Sequence, residues 1–289
     1  MVNVSTLGRY LGFNFPPSQA ISTLDDHIYS TQLLQSEALS TAYRSWKREW
    51  KGEGREYCGG LLVWQLNDCW PVTSWAIADY HQRPKMAFWA VKRESELITT
   101  GIKRNDTSFE AWGVNLTLER KIVDVRIKAW DVRSGETVYD NVLVQTFLLE
   151  PNRSSEFPTF KIPNSLTGGN KVLVVASYLV ENGATIARHV NFHEPLKEVP
   201  FPQSKQFSTK VCTVERRTWL ELSSTVPMKG VLVEAQGDNT GEVVWEDNGI
   251  DLVPGEVTKL YGQGLRAEDE RKLSVRWLGG SLELSTSSL

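Results

Sequence analysis

Cysteine is scarce in this chain: Cys58, Cys69 and Cys212 are the only three in 289 residues. The number is odd and the spacing matches no metal pattern, so neither a disulfide framework nor a zinc ribbon organises the fold. These thiols read as small structural side chains. Histidine is nearly as rare, with four residues, of which only His189 and His193 lie close together. With Glu194 they offer metal-ligand types, but a strand end and a linker supply no tetrahedral set, so no metal is expected. Charge of one sign is lacking too. Lys+Arg number 32 against Asp+Glu 35, a net charge of −3 with no basic stripe, which speaks against nucleic acid as a partner. No apolar run approaches the length of a membrane span, so no membrane partner is expected. Met1 to Ser5 hold no charged segment leading into an apolar core, and no signal peptide is expected there. Asn3, Asn105, Asn115 and Asn152 each begin an Asn-x-Ser/Thr tripeptide, which leaves secretion open.

Several reaction chemistries are missing as well. There is no Walker-type phosphate loop and no Gly-x-Ser-x-Gly nucleophile elbow. Gly262-Gln263-Gly264-Leu265-Arg266-Ala267 has bare dinucleotide-loop spacing, but no βαβ pattern surrounds it, so it reads as a turn. No cofactor is expected.

What the chain has is tryptophan, 11 residues of it. The densest cluster lies in Gly59-Gly60-Leu61-Leu62-Val63-Trp64-Gln65-Leu66-Asn67-Asp68-Cys69-Trp70-Pro71-Val72-Thr73-Ser74-Trp75. A short apolar run bounded by breakers predicts a buried strand over 59–67, with Pro71 barred from a central ladder. Such a strand delivers Gln65, Asn67, Asp68 and Trp70 to its C-terminal end, where parallel α/β barrels build their sites. Indole faces beside amides and a carboxylate suit a sugar, whose C–H faces stack while its hydroxyls bond polar tips. The plainer reading is a core strand followed by a Trp-rich turn.

Upstream, residues 1–24 are rich in Gly, Pro and Ser and read as loop. Asp25 and Asp26 then signal a helix N-terminus. Ile28, Leu34, Ala38, Ala42, Tyr43, Trp46 and Trp50 recur at helical spacing, and Gly52 and Gly54 end the run. Downstream of the predicted strand, Lys85 to Glu94 predicts a second helix with Met86, Trp89 and Ala90 on one side. Helix, strand, helix fits the closing portion of a (β/α)8 TIM barrel, which is far too little for a whole one of about 250 residues.

After about residue 95 the hydrophobic period changes to two. Residues 111–118, 122–132 and 137–149 alternate, and 171–179 is a run of apolar β-formers. Glycine turns at Ser134-Gly135 and Gly168-Gly169 complete the pattern of a β-sandwich. Residues 193–202 read as a proline-stiffened linker. Strands are predicted again at 211–214, 218–223, 230–235, 258–261 and 273–277. The expected organisation is thus a barrel end over 1–95 and two immunoglobulin-like β-sandwich domains over 96–197 and 198–289. Trp245-Glu246-Asp247-Asn248-Gly249-Ile250-Asp251-Leu252-Val253-Pro254-Gly255 contains two turns, at Asn248-Gly249 and Pro254-Gly255, and reads as structural.

Trp64 to Pro71, followed by Ser74-Trp75 and Asp79-Tyr80, resembles the last barrel strand of fungal β-mannosidases in family 2 of the glycoside hydrolases. Tyr29-Ser30-Thr31-Gln32 and Arg44 resemble the helix before that strand, and the 245–255 motif resembles one in the family's last sandwich. The resemblance implies a retaining exo-glycosidase that removes terminal non-reducing β-mannose with two glutamates, one after an Asn and one in a Ser-Glu-Phe/Tyr-Gly motif. Both would lie upstream of Tyr29. This chain has no Asn-Glu dipeptide, and Ser155-Glu156-Phe157-Pro158 lacks the glycine and lies in the sandwich, so Glu156 is rejected as nucleophile. No catalytic residue is therefore assigned. The candidate substrate-binding residues are Trp64, Gln65, Asn67, Asp68 and Trp70, with one of the two indoles expected to be core and Trp75 and Lys85 at the rim. Strand alternation argues against all five facing one side. Asp68 reads equally well as orienting a neighbour or capping the next turn. The expected partners are a β-mannoside oligosaccharide or N-glycan fragment and the missing N-terminal part of the barrel. Two alternatives stay open: a non-catalytic carbohydrate-binding or interaction protein, and a family 2 enzyme of different specificity, such as a β-galactosidase, β-glucuronidase or exo-β-glucosaminidase.

Overall fold

The computed structural model describes residues 23–105, 108–161, 172–192, 196, 199–235, 243–266 and 272–284. Helix α1 spans Leu24–Arg48 and helix α2 Met86–Glu94. Thr23 caps α1 in extended backbone, its hydroxyl oxygen accepting the Asp26 N–H at 3.1 Å, and Asp25 and Asp26 occupy the positive first turn. The buried face of α1 is not the one apolar spacing predicts. It comprises Tyr29, Ser30, Leu33, Leu34, Ser36 and Ser40, whereas Ile28 and Trp46 are 42% and 50% exposed. Three of the six are serines, which pack closely but carry no hydropathic signal. Helix α2 buries Met86, Ala87, Trp89 and Ala90, on the side expected.

Between the helices no strand forms over 59–67; residue 67 makes a single parallel bridge to Ala78. A strand needs hydrogen-bonded neighbours for its N–H and C=O groups. No described strand lies beside this segment, so a run with strand composition stays irregular. The described residues ahead of residue 98, expected to close a barrel, thus form two helices and a loop, and no barrel strand is seen among them.

From residue 98 onward the chain is β-sandwich. Strands β1 (Ile98–Arg104), β2 (Ser108–Asn115), β3 (Lys121–Asp131), β4 (Thr137–Leu149), β5 (Arg153–Glu156), β6 (Phe160–Lys161), β7 (Leu173–Glu181) and β8 (Ala184–Asn191) make two antiparallel sheets. One runs β1-β2-β5 with β6 also on β2, the other β4-β3-β7-β8. Strands β9 (Phe207–Val214), β10 (Arg217–Ser224), β11 (Met228–Ala235), β12 (Val244–Trp245), β13 (Ile250–Leu252), β14 (Val257–Gln263), β15 (Leu273–Trp277) and β16 (Gly280–Glu283) make two more. Their orders are β12-β14-β10-β9 and β13-β11-β15-β16.

Strand β7 is buried on both faces, which is why it reads as a continuous apolar run rather than an alternation. Leu173, Val175 and Leu179 face the interior of the first sandwich with Val123, Val125 and Ile127 of β3. Val174, Ala176 and Tyr178 face the other way, into a core shared with Leu220, Leu222, Leu260 and Val275 of the second sandwich and with Tyr29, Leu33 and Trp89 of the helices. The segment expected as a linker joins this core through Leu196 and Val199, each 5% exposed. Residues 193–195 of that segment lie outside the described residues.

Helix α1 docks at a bulge in β11. Gly230 sits there with φ +62°, at an irregularity between Met228 and Val231. The Tyr29 hydroxyl donates to the Gly230 carbonyl at 2.8 Å. A Cβ at residue 230 would lie 2.8 Å from Leu33 Cδ1 and 2.9 Å from the Tyr29 hydroxyl oxygen, so this position has room only for glycine. Beside it Lys229, 5% exposed, reaches Glu37 Oε1 of α1 at 2.7 Å and Asp251 Oδ2 at 2.9 Å. Burial works against its charge, but Asp251 and Glu37 outweigh that and hold its pKa above the usual lysine value.

Candidate functional site

The loop over 64–80 is fixed by its own backbone. Ile77 N–H donates to the Gln65 carbonyl at 3.1 Å, Ala78 N–H to Leu66 at 2.9 Å, and Asp68 N–H back to Ala78 at 3.1 Å. The Trp64–Gln65 peptide is cis. Ala76 and Ile77, 0% and 4% exposed, anchor the loop from below. From α1, the Gln35 side-chain amide donates to the Trp75 carbonyl.

Of the five candidate residues, three are exposed, one is half-buried and one is buried. Trp64 is 79% exposed and Trp70 68%, so neither indole is core. The expectation that one would be buried relied on a strand with an inner face, and no such strand forms. Gln65 is half-buried, its amide donating to the Asn67 carbonyl at 2.9 Å. Asn67 is exposed and donates to the Asp68 carbonyl at 3.2 Å. Asp68 is 5% exposed, and its carboxylate accepts from the Ser74 hydroxyl and from Lys85 Nζ, the latter at 3.2 Å. It therefore organises the loop from beneath. Ser74 in turn accepts the Ala76 N–H at 3.0 Å.

Around the loop, Leu62, Leu66, Val72 and Trp75 are also exposed, at 97%, 61%, 55% and 58%. Cys69 is exposed and Cys58 half-buried, so the thiols flanking the run are not core side chains either. Six large apolar side chains are thus exposed within residues 62–75, a density that marks a place where something else binds or packs. Chemically, the loop offers exposed indoles together with the side-chain amides of Gln65 and Asn67. Lys85 and Trp75, expected at the rim, lie respectively under and on this surface. The Ser74 and Gln35 contacts had no signal in residue type or spacing.

The remaining motifs are placed elsewhere. Glu156, in β5, receives Arg48 Nε and Nη2 at 2.8 and 2.7 Å, with Glu110 also 3.0 Å from Nη2. The Arg48 guanidinium stacks over the Trp112 ring at 4.3 Å. His189 accepts the Ile102 N–H on Nδ1 at 3.0 Å. Burial, then the nearby cations Arg44, Lys229 and Arg188, push its pKa well below the ordinary histidine value. His193 and Glu194 lie outside the described residues.

Two antiparallel sandwiches with a helical segment packed against them define the class of fold, and solved structures share it. A β-D-mannosidase from Dictyoglomus thermophilum superposes with TM-score 0.74 at 22% identity, over 96% of this chain and 32% of that one. The exo-chitosanase CsxA of Amycolatopsis orientalis superposes with TM-score 0.66 at 18% identity, over 90% of this chain and 35% of that one. In sequence, residues 107–198 match the Mannosidase Ig/CBM-like domain. Beta-mannosidase B of Thermothelomyces thermophilus is 43% identical over 275 residues, which is 89% of this chain and 31% of that protein. Beta-mannosidase B of Emericella nidulans is 31% identical, with the same shares covered. This chain resembles the C-terminal part of a fungal β-mannosidase of the B type, in glycoside hydrolase family 2. It spans 31% of the length of these curated relatives.

Proposed function

We propose that this chain is the C-terminal portion of a retaining exo-β-mannosidase and supplies part of the subsite for the terminal β-mannose. The observation that carries this reading is the 64–80 loop, which holds Trp64, Gln65, Asn67 and Trp70 at the surface on a backbone braced by Asp68, Ser74 and Lys85. In this reading residues 1–95 close a (β/α)8 barrel, and 59–67 becomes a strand when upstream strands lie beside it. Residues 96–197 and 198–289 are the two sandwich domains that back it. The substrate is a β-mannoside oligosaccharide or N-glycan fragment. Both carboxylates come from outside this sequence, since it has no Asn-Glu dipeptide and Glu156 is held by Arg48. The chain alone is therefore expected to bind sugar weakly and not to hydrolyse it.

The test is hydrolysis of 4-nitrophenyl β-mannoside by the purified chain and by a version extended upstream with the remainder of a β-mannosidase B relative. Turnover by the extended version alone supports the reading. Substantial turnover by the short chain overturns it. A second reading, a non-catalytic carbohydrate-binding protein, is favoured by one observation: Trp64, Trp70 and Trp75 are all more than half exposed. It requires the short chain itself to bind a mannoside at micromolar concentration and the extended version to gain no turnover.

A further inference from the structure

We propose that Arg93 and Asp247 position the sugar-facing loop, so that the turn at Trp245–Gly249 of the second sandwich sets the geometry of Trp64–Trp70 through helix α2. This rests on the reading of that loop given above.

The connection has three parts. The loop is tied to the N-terminus of α2: Lys85, the residue capping the helix, donates its N–H to the Ile77 carbonyl at 2.9 Å and its Nζ to Asp68 Oδ2 at 3.2 Å. Helix α2 has nine residues and no side-chain cap at its start. A helix that short is marginal by itself, so its position follows from what it is fastened to. Once formed it is a rod of about 14 Å, at 1.5 Å per residue, and a shift at one end is felt at the other.

The other end is fastened to the second sandwich through backbone carbonyls. Trp89 Nε1 donates to Trp245 O at 3.4 Å and Lys92 Nζ to Glu246 O at 2.5 Å. Arg93 pairs with the Asp247 carboxylate and donates to Asn248 O at 2.9 Å and Gly249 O at 3.0 Å. A planar guanidinium that serves three successive residues specifies direction as well as distance.

The platform itself is rigid. Asn248, 1% exposed, accepts the Val233 and Gly249 N–H groups, each at 2.9 Å, and donates to the Val233 carbonyl at 2.7 Å. Gly249 has φ +58°, and a Cβ there would lie 3.2 Å from Met86 Cε in the first turn of α2. The 245–255 motif, which by sequence is only a pair of turns, thus touches both ends of the helix that carries the loop. Arg93 and Asp247 are about one-third exposed, 37% and 34%, so their pairing contributes little to global stability. Its effect is local.

The experiment is amide hydrogen exchange on the whole 289-residue chain, comparing wild type with Arg93→Ala, Arg93→Lys and Asp247→Asn. Arg126→Ala, which breaks a surface pair with Asp140 on the first sandwich, is the control. The expected result is exchange at least tenfold faster at Asp68, Ile77, Ala78 and Lys85 in Arg93→Ala, with β3 and β7 unchanged and partial recovery in Arg93→Lys. Wild-type rates at those four amides, or an acceleration spread equally over β7, would overturn the proposal. If Arg93→Ala does not fold, the milder Asp247→Asn decides by the same criteria. Titration with methyl β-mannoside is read separately, with affinity expected to weaken at least threefold in Arg93→Ala. No binding to wild type would sink the assignment of the loop to sugar, while the exchange data would still decide the coupling.

Discussion

Arg48 grips Glu156 with two nearly parallel hydrogen bonds, Nε to Oε1 at 2.8 Å and Nη2 to Oε2 at 2.7 Å. The pair joins the last turn of α1 to β5, across 108 residues of sequence. It also accounts for the one segment of this chain that imitates a catalytic motif. Glu156→Ala is expected to lower the urea-unfolding free energy by about 1 kcal/mol, a small value because Glu156 is 42% exposed. The same variant in the upstream-extended enzyme should keep its kcat on an aryl β-mannoside. A fall of a thousandfold would reinstate Glu156 as a reacting group.

Gly230 is the second test of how α1 is held. Gly230→Ala places a methyl group 2.8 Å from Leu33 Cδ1 at a residue with φ +62°. Positive φ and overpacking together should destabilise the chain by about 2 kcal/mol or more. Tyr29→Phe, which removes the hydroxyl's bond to the Gly230 carbonyl and its longer one to Lys229 O, should cost about 1 kcal/mol. Thermal midpoints of the two variants check the order; equal midpoints would contradict the docking geometry.

His189 gives a pH dependence of definite sign. Its folded pKa lies well below 6.5 because burial and neighbouring cations disfavour the imidazolium. The unfolded chain therefore binds the proton first as pH falls. The contribution is complete above about pH 6.5 and declines as pH drops from there toward the folded pKa. Glu94 acts oppositely: burial, only partly offset by Arg44, Arg93 and Lys47, raises its pKa, so its contribution is lost as pH rises from 4.5 through the folded value. The difference between wild type and His189→Asn isolates the histidine. The stability gap between them should narrow from pH 7 to pH 5; a constant gap would exclude a proton-linked His189.

The loop residues separate by burial. Trp64→Ala and Trp70→Ala remove exposed indoles, so they should leave the thermal midpoint nearly unchanged while weakening methyl β-mannoside binding about tenfold. Asp68→Ala should affect both, because it strands Lys85, whose side chain is 14% exposed, without its partner, at about 3 kcal/mol. Loss of stability in the tryptophan variants would mean that these rings pack in solution.

Strands β3 and β4 are legible: β3 alternates between buried and half-buried positions from Val123 to Ala129, as period two requires, and β4 has the predicted extent of 137–149 although its own burial is irregular. Strands β1 and β8 are not. Ile98-Thr-Thr-Gly-Ile breaks the alternation, and β8 carries Arg188 and His189 at positions that reach other elements. The 59–67 run shows the opposite failure: its residue types favour a strand, but ladder bonds must come from neighbours. The same holds at the site. Trp64 and Trp70 stand out as rare residue types, while the brace of Asp68 by Ser74 and Lys85 uses ordinary residues. The Arg93 fork lies about 155 residues from its partners in sequence, where no local pattern can reveal it.

Strand β7, apolar on both sides, has a thermodynamic consequence. The first sandwich keeps an interior of its own, but the outer face of its β3-β7 sheet is also the wall of the second sandwich's core: separating them would bare Trp130, Val174, Ala176 and Tyr178 to water in one half and Leu220, Leu222 and Val275 in the other. They should therefore melt as a single cooperative unit, visible as one calorimetric transition. A gene cut near residue 197 would yield two aggregating pieces instead of two modules. The natural seam for engineering lies elsewhere, at exposed turns such as Asn182-Gly183, where a side chain added at Gly183 would meet nothing within 4 Å.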